Sequence, residues 1–170
     1  DHVIAPFIVY TGDEIEGEFG PYRPRFRVDR AMAEAVLNGA LDRGFDVAYS
    51  QNTILDHSFV VPLHFVHPAK RLPIVPIVVN AYVAPQPAPR RCHDLGRALG
   101  EIVRASDRRV ALLASGGMSH YPGTPRYPSP DFEFDRHLLA SLERGDGRRL
   151  IEMTPRQLDE AGNVELRTWM

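Results

Sequence analysis

The feature that most constrains the fold is an apolar run that ends in a glycine pair and a histidine. Val110–Ala114 is uninterrupted by polar residues, and Ser115, Gly116 and Gly117 follow it, with His120 three residues later. A short apolar run bounded by turn residues is typical of a strand buried on both faces. Paired glycines let the backbone turn sharply and leave room for another group to approach closely. We therefore expect His120 at the end of a buried strand, where α/β proteins bind ligands; the alternative is a strand-to-loop turn with an incidental histidine.

Strand patterns and helix patterns alternate along the rest of the chain. Apolar, β-branched segments occur at Val3–Tyr10, Phe45–Tyr49 and Ile74–Val79, and Pro6 makes the first an edge strand or an irregular segment. Helical periodicity begins after three potential N-caps, Asp29, Asp131 and Thr154. The alternation predicts an α/β fold, a three-layer α/β/α arrangement with a central, mostly parallel or mixed sheet.

One long segment interrupts this alternation. Thr11–Val28 is rich in glycine and proline and predicts a long loop. Such a loop is either a lid or substrate wall, or an exposed excursion.

Composition narrows the class of protein. The 170 residues suffice for a single domain, and 20 basic against 22 acidic residues give a net charge of -2 without a block of one sign. Nothing therefore points to nucleic acid or to an anionic membrane, and no apolar run is long enough for a transmembrane helix. A single cysteine, Cys92, excludes an internal disulfide and a cysteine-based zinc site and favours a cytoplasmic setting. Because the sequence begins at Asp1 without a methionine and stops at Met170 within a helical pattern, we expect an internal fragment of a longer chain.

Histidines are the residues best suited to carry chemistry. Of the seven histidines, His57 and His120 each lie beside a predicted strand end, at a junction between polar and apolar residues. Dinucleotide and phosphate-binding glycine motifs, the serine nucleophile elbow and the His-Glu-x-x-His zinc motif are absent from the sequence. Histidines with scattered carboxylates and no thiol pair indicate a hard or borderline metal bound by nitrogen and oxygen.

Four stretches together resemble the catalytic (beta) subunit of class III extradiol ring-cleavage dioxygenases, of the protocatechuate 4,5-dioxygenase type. They are Asp1-His2 with the apolar run after it, Leu55–Leu63, Gly116–His120 and Gly162–Trp169. The Asp-His-x-x-x-Val-Pro-Leu and Gly-Gly-Met-Ser-His motifs are specific in combination, and the resemblance spans nearly the whole chain. It implies extradiol cleavage of a catecholic ring with O2 at a non-haem Fe(II) site.

The resemblance also implies roles for four residues. His2 is similar to the second histidine ligand of Fe(II) and Glu165 to the carboxylate ligand. His120 resembles the acid/base histidine, and His57 the histidine that contacts substrate and assists proton transfer. The family's first metal histidine has no counterpart here. We therefore expect residues 1–170 to be one catalytic domain that lacks the N-terminal segment with that ligand and the C-terminal end, and to bind Fe(II) weakly alone.

Partners and rival functions follow from the same likeness. The implied partners are a catechol-type substrate and O2, without nucleic acid or membrane, and the protein is either a homo-oligomer or pairs with a small alpha subunit. Two alternatives stay open: a non-catalytic superfamily member that acts in binding or signalling, and a metal-dependent hydrolase with a similar site.

Overall fold

A computed structural model describes residues 4–170 of the chain. The chain divides into two compact units. The first covers the residues up to Val79 together with Ala98–Ser115, and the second covers Asn80–Arg97 and Gly116–Met170.

The strands of residues 4–170 all lie in the first unit and form two three-stranded sheets. They are β1 Phe7–Tyr10, β2 Glu14–Gly17, β3 Arg25–Arg27, β4 Ala48–Ser50, β5 Ile54–Leu55 and β6 Ile77–Val79. In one sheet β1 lies between β4, which is parallel to it, and β6, which is antiparallel. In the other, β2 lies between antiparallel β3 and parallel β5. The predicted α/β class with mixed strand directions is confirmed, and the strands are shared between two sheets.

The helices are α1 Arg30–Asp42, α2 His57–Val66, α3 Pro89–Arg104, α4 Phe132–Glu143, α5 Arg148–Ile151, α6 Pro155–Ala161 and a 3₁₀ helix, Val164–Thr168. Three of them begin where the sequence predicts. The Asp29 carboxylate accepts from the Met32 amide at 3.1 Å, and the Asp131 carboxylate accepts from the Phe134 amide at 2.9 Å. Thr154 forms a reciprocal capping box ahead of α6, which opens on a proline.

The prediction of a buried strand at Val110–Ala114 is wrong. The segment has no regular secondary structure, and within residues 4–170 no strand pairs with it. Val110 is 46%, Leu112 78% and Leu113 48% exposed. An apolar run sets a preference for burial, but a strand needs the hydrogen-bonding edge of another strand, which a one-dimensional pattern does not supply.

Two predictions for the N-terminal part also need correction. Thr11–Val28 is not a continuous loop, because β2 and β3 pair within it and bury Ile15 and Phe26 on one face. Strand β1 is central in its sheet rather than at an edge. It starts at Phe7, after Pro6, so the proline does not cost a ladder hydrogen bond.

Each unit has its own buried side chains. In the first unit Val9, Ile15, Ala33 and Val60 are almost fully buried. In the second, one apolar cluster joins α4, α5, α6 and the 3₁₀ helix through Leu138, Leu150, Leu158 and Leu166. This cluster anchors the helix that carries Glu165. No helix in the described part of the chain has the length and apolarity to span a membrane.

Candidate active site

The glycine pair brings the histidine loop against the 3₁₀ helix in the second unit. A Cβ on Gly116 would lie 2.7 Å from Nε1 of Trp169 and 3.0 Å from the Glu165 carbonyl oxygen. A Cβ on Gly117 would lie 3.3 Å from Oε2 of Glu165, and the Gly117 amide donates a hydrogen bond to that oxygen. The close approach expected of the paired glycines is therefore made by the helix that bears Glu165.

A hydrogen bond to one ring nitrogen of His120 fixes the tautomer of its neutral imidazole. Its Nδ1 lies 2.8 Å from the carbonyl oxygen of Met118. A carbonyl only accepts hydrogen bonds, so Nδ1 carries the proton and Nε2 is the basic nitrogen of the neutral ring. Nε2 lies 3.1 Å from the Tyr82 hydroxyl and 3.5 Å from Oε1 of Glu165. The imidazole therefore presents a proton acceptor to the carboxylate side of this site.

Tyr82 links the histidine and the carboxylate. Its hydroxyl donates to Oε1 of Glu165 and lies beside Nε2 of His120. Burial raises the pKa of the Tyr82 phenol above its usual value, and the hydrogen bond to Glu165 and the charge of that carboxylate raise it further. Tyr82 therefore keeps its proton near neutral pH and serves as a hydrogen-bond donor. Tyr82 lies in a turn that the Asn80 side chain closes. Oδ1 of Asn80 accepts from the Val83 amide at 3.0 Å, and Nδ2 of Asn80 donates to the Val83 carbonyl oxygen at 2.7 Å.

Arg167 fixes the helix of Glu165 from within. Its guanidinium is buried and donates to the carbonyl oxygens of Pro87, Ala81, Val164 and Pro155, at 3.0 to 3.4 Å. Burial lowers the pKa of this guanidinium, and Asp159, 3.7 Å away, opposes the shift. A planar fork with five donors suits such a set of carbonyls. The same side chain thus joins the Tyr82 segment to the Glu165 helix.

His57 belongs to the first unit and lines an open cavity there. It is the first residue of α2, directly after the N-cap Asp56, which accepts from the Ser58 amide at 2.9 Å and follows β5. The predicted position after a strand end is confirmed. An open cavity of about 350 Å³ adjoins it, lined by Glu18, Phe19, Gly20, Ile54, Leu55, Asp56 and His57.

Two of the four predicted site residues come together in the described structure. His120 and Glu165 are neighbours in the second unit, whereas His57 lies at the cavity of the first unit. His2 lies outside the described residues. Among residues 4–170, no group of three histidine, cysteine or carboxylate side chains is placed to hold a metal ion.

Glu165 nonetheless has the chemistry of a cation ligand. An ionised carboxylate offers about four lone-pair positions, and its two described hydrogen bonds, from Tyr82 and Gly117, use two of them. Its side chain is 22% exposed and lies partly open to solvent. The carboxylate therefore fits one position in a metal site of nitrogen and oxygen donors.

Sequence reasoning missed two residues of this region, Tyr82 and Asp135. Tyr82 follows the end of β6, and a polar side chain at that position was a usable signal. Asp135 lies three positions before Leu138 on the buried stripe of α4, where a carboxylate is unusual. A charge at an apolar position of a helix indicates a specific partner.

Comparison with known proteins identifies the relatives of this chain. The family model described as the catalytic LigB subunit of aromatic ring-opening dioxygenase matches residues 2–170. The 2,3-dihydroxyphenylpropionate/2,3-dihydroxicinnamic acid 1,2-dioxygenase of Klebsiella pneumoniae (strain 342) is 34% identical over 140 residues, covering 82% of this chain and 45% of its own. The 2,3-dihydroxyphenylpropionate/2,3-dihydroxicinnamic acid 1,2-dioxygenase 2 of Pseudomonas putida is also 34% identical over 140 residues, covering 82% of this chain and 45% of its own. The enzyme of that name from Escherichia coli (strain K12 / DH10B) is 32% identical, again over 82% of this chain and 45% of its own.

The matches support the predicted family and leave its narrower type open. The chain spans about half the length of the curated relatives it matches. Those relatives are named for 2,3-dihydroxyphenylpropionate rather than for protocatechuate. The family model, in contrast, covers residues 2–170, which include three of the four stretches in full and the first from His2 onward. The chain belongs to the family of catalytic LigB subunits of aromatic ring-opening dioxygenases.

Proposed function

We propose that the protein containing this chain opens a catecholic ring by extradiol cleavage with O2 at a non-haem Fe(II) site. The observation that carries the proposal is the pairing of His120 with Glu165 in a LigB-family chain. Nε2 of His120 is unprotonated in the neutral ring and faces the Glu165 carboxylate, 3.5 Å away. A base beside a potential metal ligand is the arrangement that deprotonation of a bound diol needs.

In this proposal Glu165 and His2 are ligands of the iron. Fe(II), when bound, supplies chelation of both catechol hydroxyls and electronic coupling of the ring to O2. The Gly117 amide and the Tyr82 hydroxyl hold the Glu165 carboxylate in one orientation. A fixed ligand limits the reorganisation needed when the metal and substrate bind.

His120 is the proposed acid and base. Nε2 accepts a proton from a catechol hydroxyl, and the resulting imidazolium returns it later to the opening ring. The Met118 carbonyl keeps Nδ1 protonated throughout, so the same nitrogen performs both steps. The Tyr82 hydroxyl, 3.1 Å from Nε2, donates its own proton to Glu165 and can accept a hydrogen bond from Nε2 when the ring is an imidazolium.

His57 is the proposed substrate contact. It adjoins a cavity that carries the apolar side chains of Phe19 and Ile54, which suits a flat aromatic ring. Replacing His57 by alanine is expected to reduce kcat and raise KM while sparing the metal. Unchanged kinetics would remove His57 from the site.

The substrate is proposed to be a catechol, and the cell compartment the cytoplasm. The relatives act, by their names, on 2,3-dihydroxyphenylpropionate, whereas the sequence motifs resemble the protocatechuate type. Both compounds therefore belong in the substrate panel, with unsubstituted catechol. A homo-oligomer or a small alpha subunit stays a prediction from the resemblance.

The test is anaerobic loading with Fe(II), followed by each catechol and then air, on the natural protein that contains these 170 residues. A dioxygenase consumes one O2 for each ring and forms a yellow ring-opened product. Product formation without O2 would favour the metal-dependent hydrolase. Catechol binding without turnover, in protein that retains iron, would favour the non-catalytic binding or signalling protein.

A further inference from the structure

A buried carboxylate lies behind the proposed site and takes no part in the chemistry described above. Asp135, on α4, is 8% exposed. Its Oδ1 accepts from the Ser119 amide at 3.0 Å and from Nδ2 of Asn163 at 2.9 Å, and its Oδ2 accepts from the Ser119 hydroxyl at 2.7 Å. Both partners are themselves buried, Ser119 at 5% and Asn163 at 0% exposure.

The partners of Asp135 are close in sequence to His120 and Glu165, the two residues of the proposed site in this unit. Ser119 immediately precedes His120, and Asn163 is two residues before Glu165. A further bond closes the connection, since the His120 amide donates to the Gly162 carbonyl at 3.0 Å. Asn163 precedes the 3₁₀ helix but makes no side-chain cap to it; its Nδ2 donates to Asp135 and, at 3.4 Å, to the Ala161 carbonyl oxygen.

We propose that Asp135 is a positioning residue, which ties the His120 loop to the Glu165 helix through Ser119 and Asn163. The proposal rests on the proposed function only in its kinetic consequence, because Asp135 acts through His120 and Glu165. Its geometric part stands independently of any reaction.

The chemistry of the three donor groups, which are the Ser119 amide, the Ser119 hydroxyl and Asn163 Nδ2, explains why a carboxylate occupies this position. All three are neutral donors, and an ionised carboxylate is a pure acceptor with room for all of them. Burying a charge against neutral donors is a costly way to stabilise a fold, since its desolvation is not offset by an opposite charge. Both Asp135 oxygens are bonded, although the buried Oδ1 of Asn163 has no partner among the described residues. A carboxylate held by several donors selects one arrangement of the groups that it joins. We therefore attribute Asp135 to geometry rather than to stability.

Two substitutions separate these contributions. Asp135→Asn keeps the shape and one acceptor oxygen, and the Ser119 hydroxyl can turn to accept from the new amide. Asp135→Ala leaves the buried Ser119 amide without its acceptor, and leaves Asn163 Nδ2 with only the Ala161 carbonyl oxygen at 3.4 Å. A third variant, Ser119→Ala, deletes only the hydroxyl bond. Leu95→Ala is the matched control, because Leu95 is buried in the same unit and belongs neither to this network nor to the apolar cluster around Leu166.

Amide hydrogen exchange on the chain itself is the first measurement. We expect Asp135→Ala to accelerate exchange of the Ser119 and His120 amides about tenfold or more relative to other amides of the second unit, and Asp135→Asn to restore most of the protection. Unchanged relative protection of both amides would overturn the proposal. The exchange measurement gives its result even if the protein turns over no catechol. Failure of the proposed function is therefore distinguishable from failure of this inference.

Steady-state kinetics on the active natural protein is the second measurement. Small displacements of catalytic groups cost up to about 10²-fold, so kcat of Asp135→Ala should fall by about 10- to 100-fold with KM little changed. Asp135→Asn should recover most of kcat, and Leu95→Ala should lower the thermal midpoint while keeping kcat. An equal loss of kcat in Leu95→Ala at an equal midpoint would mean that Asp135 is merely structural. If Asp135→Ala does not fold, Ser119→Ala takes its place, and wild-type kcat and exchange in that variant would overturn the proposal.

Discussion

At the scale of single residues, one carbonyl oxygen decides what His120 can do. The Met118 oxygen accepts from Nδ1, so the basic lone pair stays on Nε2, the nitrogen that faces Glu165. In the alternative tautomer the proton would be on Nε2. The unprotonated Nδ1 and the Met118 carbonyl oxygen would then be two acceptors 2.8 Å apart. The hydrogen bond therefore selects the form of the ring that can accept a proton from a substrate.

Replacing His120 by alanine in the active natural protein is expected to lower kcat by about 10²- to 10⁴-fold, the usual contribution of a general acid-base group. Iron content should be retained, because His120 is proposed as a base and not as a ligand. Rapid-quench kinetics with parallel metal analysis measures both. A variant with near wild-type kcat contradicts the assignment, and a variant that loses iron would make His120 a ligand.

The buried thiol of Cys92 makes stability depend on alkaline pH. Burial raises its pKa to about 11, although the charge of Arg167 opposes the shift. The unfolded chain releases this proton near pH 8.5, whereas the folded chain keeps it to about pH 11. The folded state therefore binds more protons in this window, and its stability is full below about pH 8.5 and falls as pH rises towards 11.

Urea unfolding of the wild type and of Cys92→Ala at pH 7.5 and pH 10 measures this contribution. The wild type should lose more stability between the two pH values than the variant does, by up to about 2 kcal/mol. Other groups that titrate in this range are common to both proteins and cancel in the comparison. Parallel losses in the two proteins would show that the thiol is not protected by burial.

At the scale of elements, the end of α6 sets the geometry of the site. Gly162 follows the helix with φ of 66°, and its carbonyl oxygen accepts from the His120 amide. A Cβ at this position would lie 2.7 Å from the Tyr121 ring and 2.8 Å from the His120 carbonyl oxygen. The chain can therefore turn from α6 into the Glu165 helix, and contact the His120 loop while doing so, only with glycine here.

Gly162→Ala is expected to destabilise the protein by about 2 to 4 kcal/mol, the sum of left-handed strain and a clash with atoms that are not free to move. Gly145→Ala is the matched control, because its φ of 68° carries the same strain and nothing lies within 4 Å of the added carbon. That control should cost only about 1 to 2 kcal/mol. Equal midpoints in chemical denaturation for the two variants would show that the contact between Gly162 and the His120 loop is not tight.

At the scale of the whole molecule, the proposed metal site draws on both ends of the sequence. His2 and Glu165 are the two ligands that the family resemblance assigns within these 170 residues. The residues between them build the two units and place the side chains that hold Glu165. Metal affinity is coupled to stability wherever a ligand takes its place only in the folded chain.

Substituting either ligand should weaken binding of Co(II) to the natural protein by at least about 10²-fold, more than loss of an outer partner usually costs. His2→Ala and Glu165→Gln are the variants, measured by anaerobic titration calorimetry. Glu160→Gln is the control, because Glu160 is exposed and pairs only with Arg156 through its side chain, at 2.7 Å. Wild-type affinity in Glu165→Gln would remove Glu165 from the coordination sphere.

The sequence by itself determined the features that depend on neighbouring residues. The side chains of the N-caps Asp29, Asp131 and Thr154 each accept from the amide three positions later, so a short pattern contains all the information. The motifs around His57, His120 and Glu165 predicted the family for the same reason, since a local signature survives where most of the sequence has diverged.

Only the tertiary structure decided the features that depend on distant residues. Val110–Ala114 is apolar, but whether it forms a strand depends on a partner edge that its own residues do not encode. Tyr82 and Glu165 are far apart in sequence, and so are Asp135 and Asn163, yet each pair is joined by a hydrogen bond in the folded second unit. Local preferences come from interactions between residues that the chain itself holds close together. Contacts between distant residues form only after the chain has closed long loops and buried the residues around them.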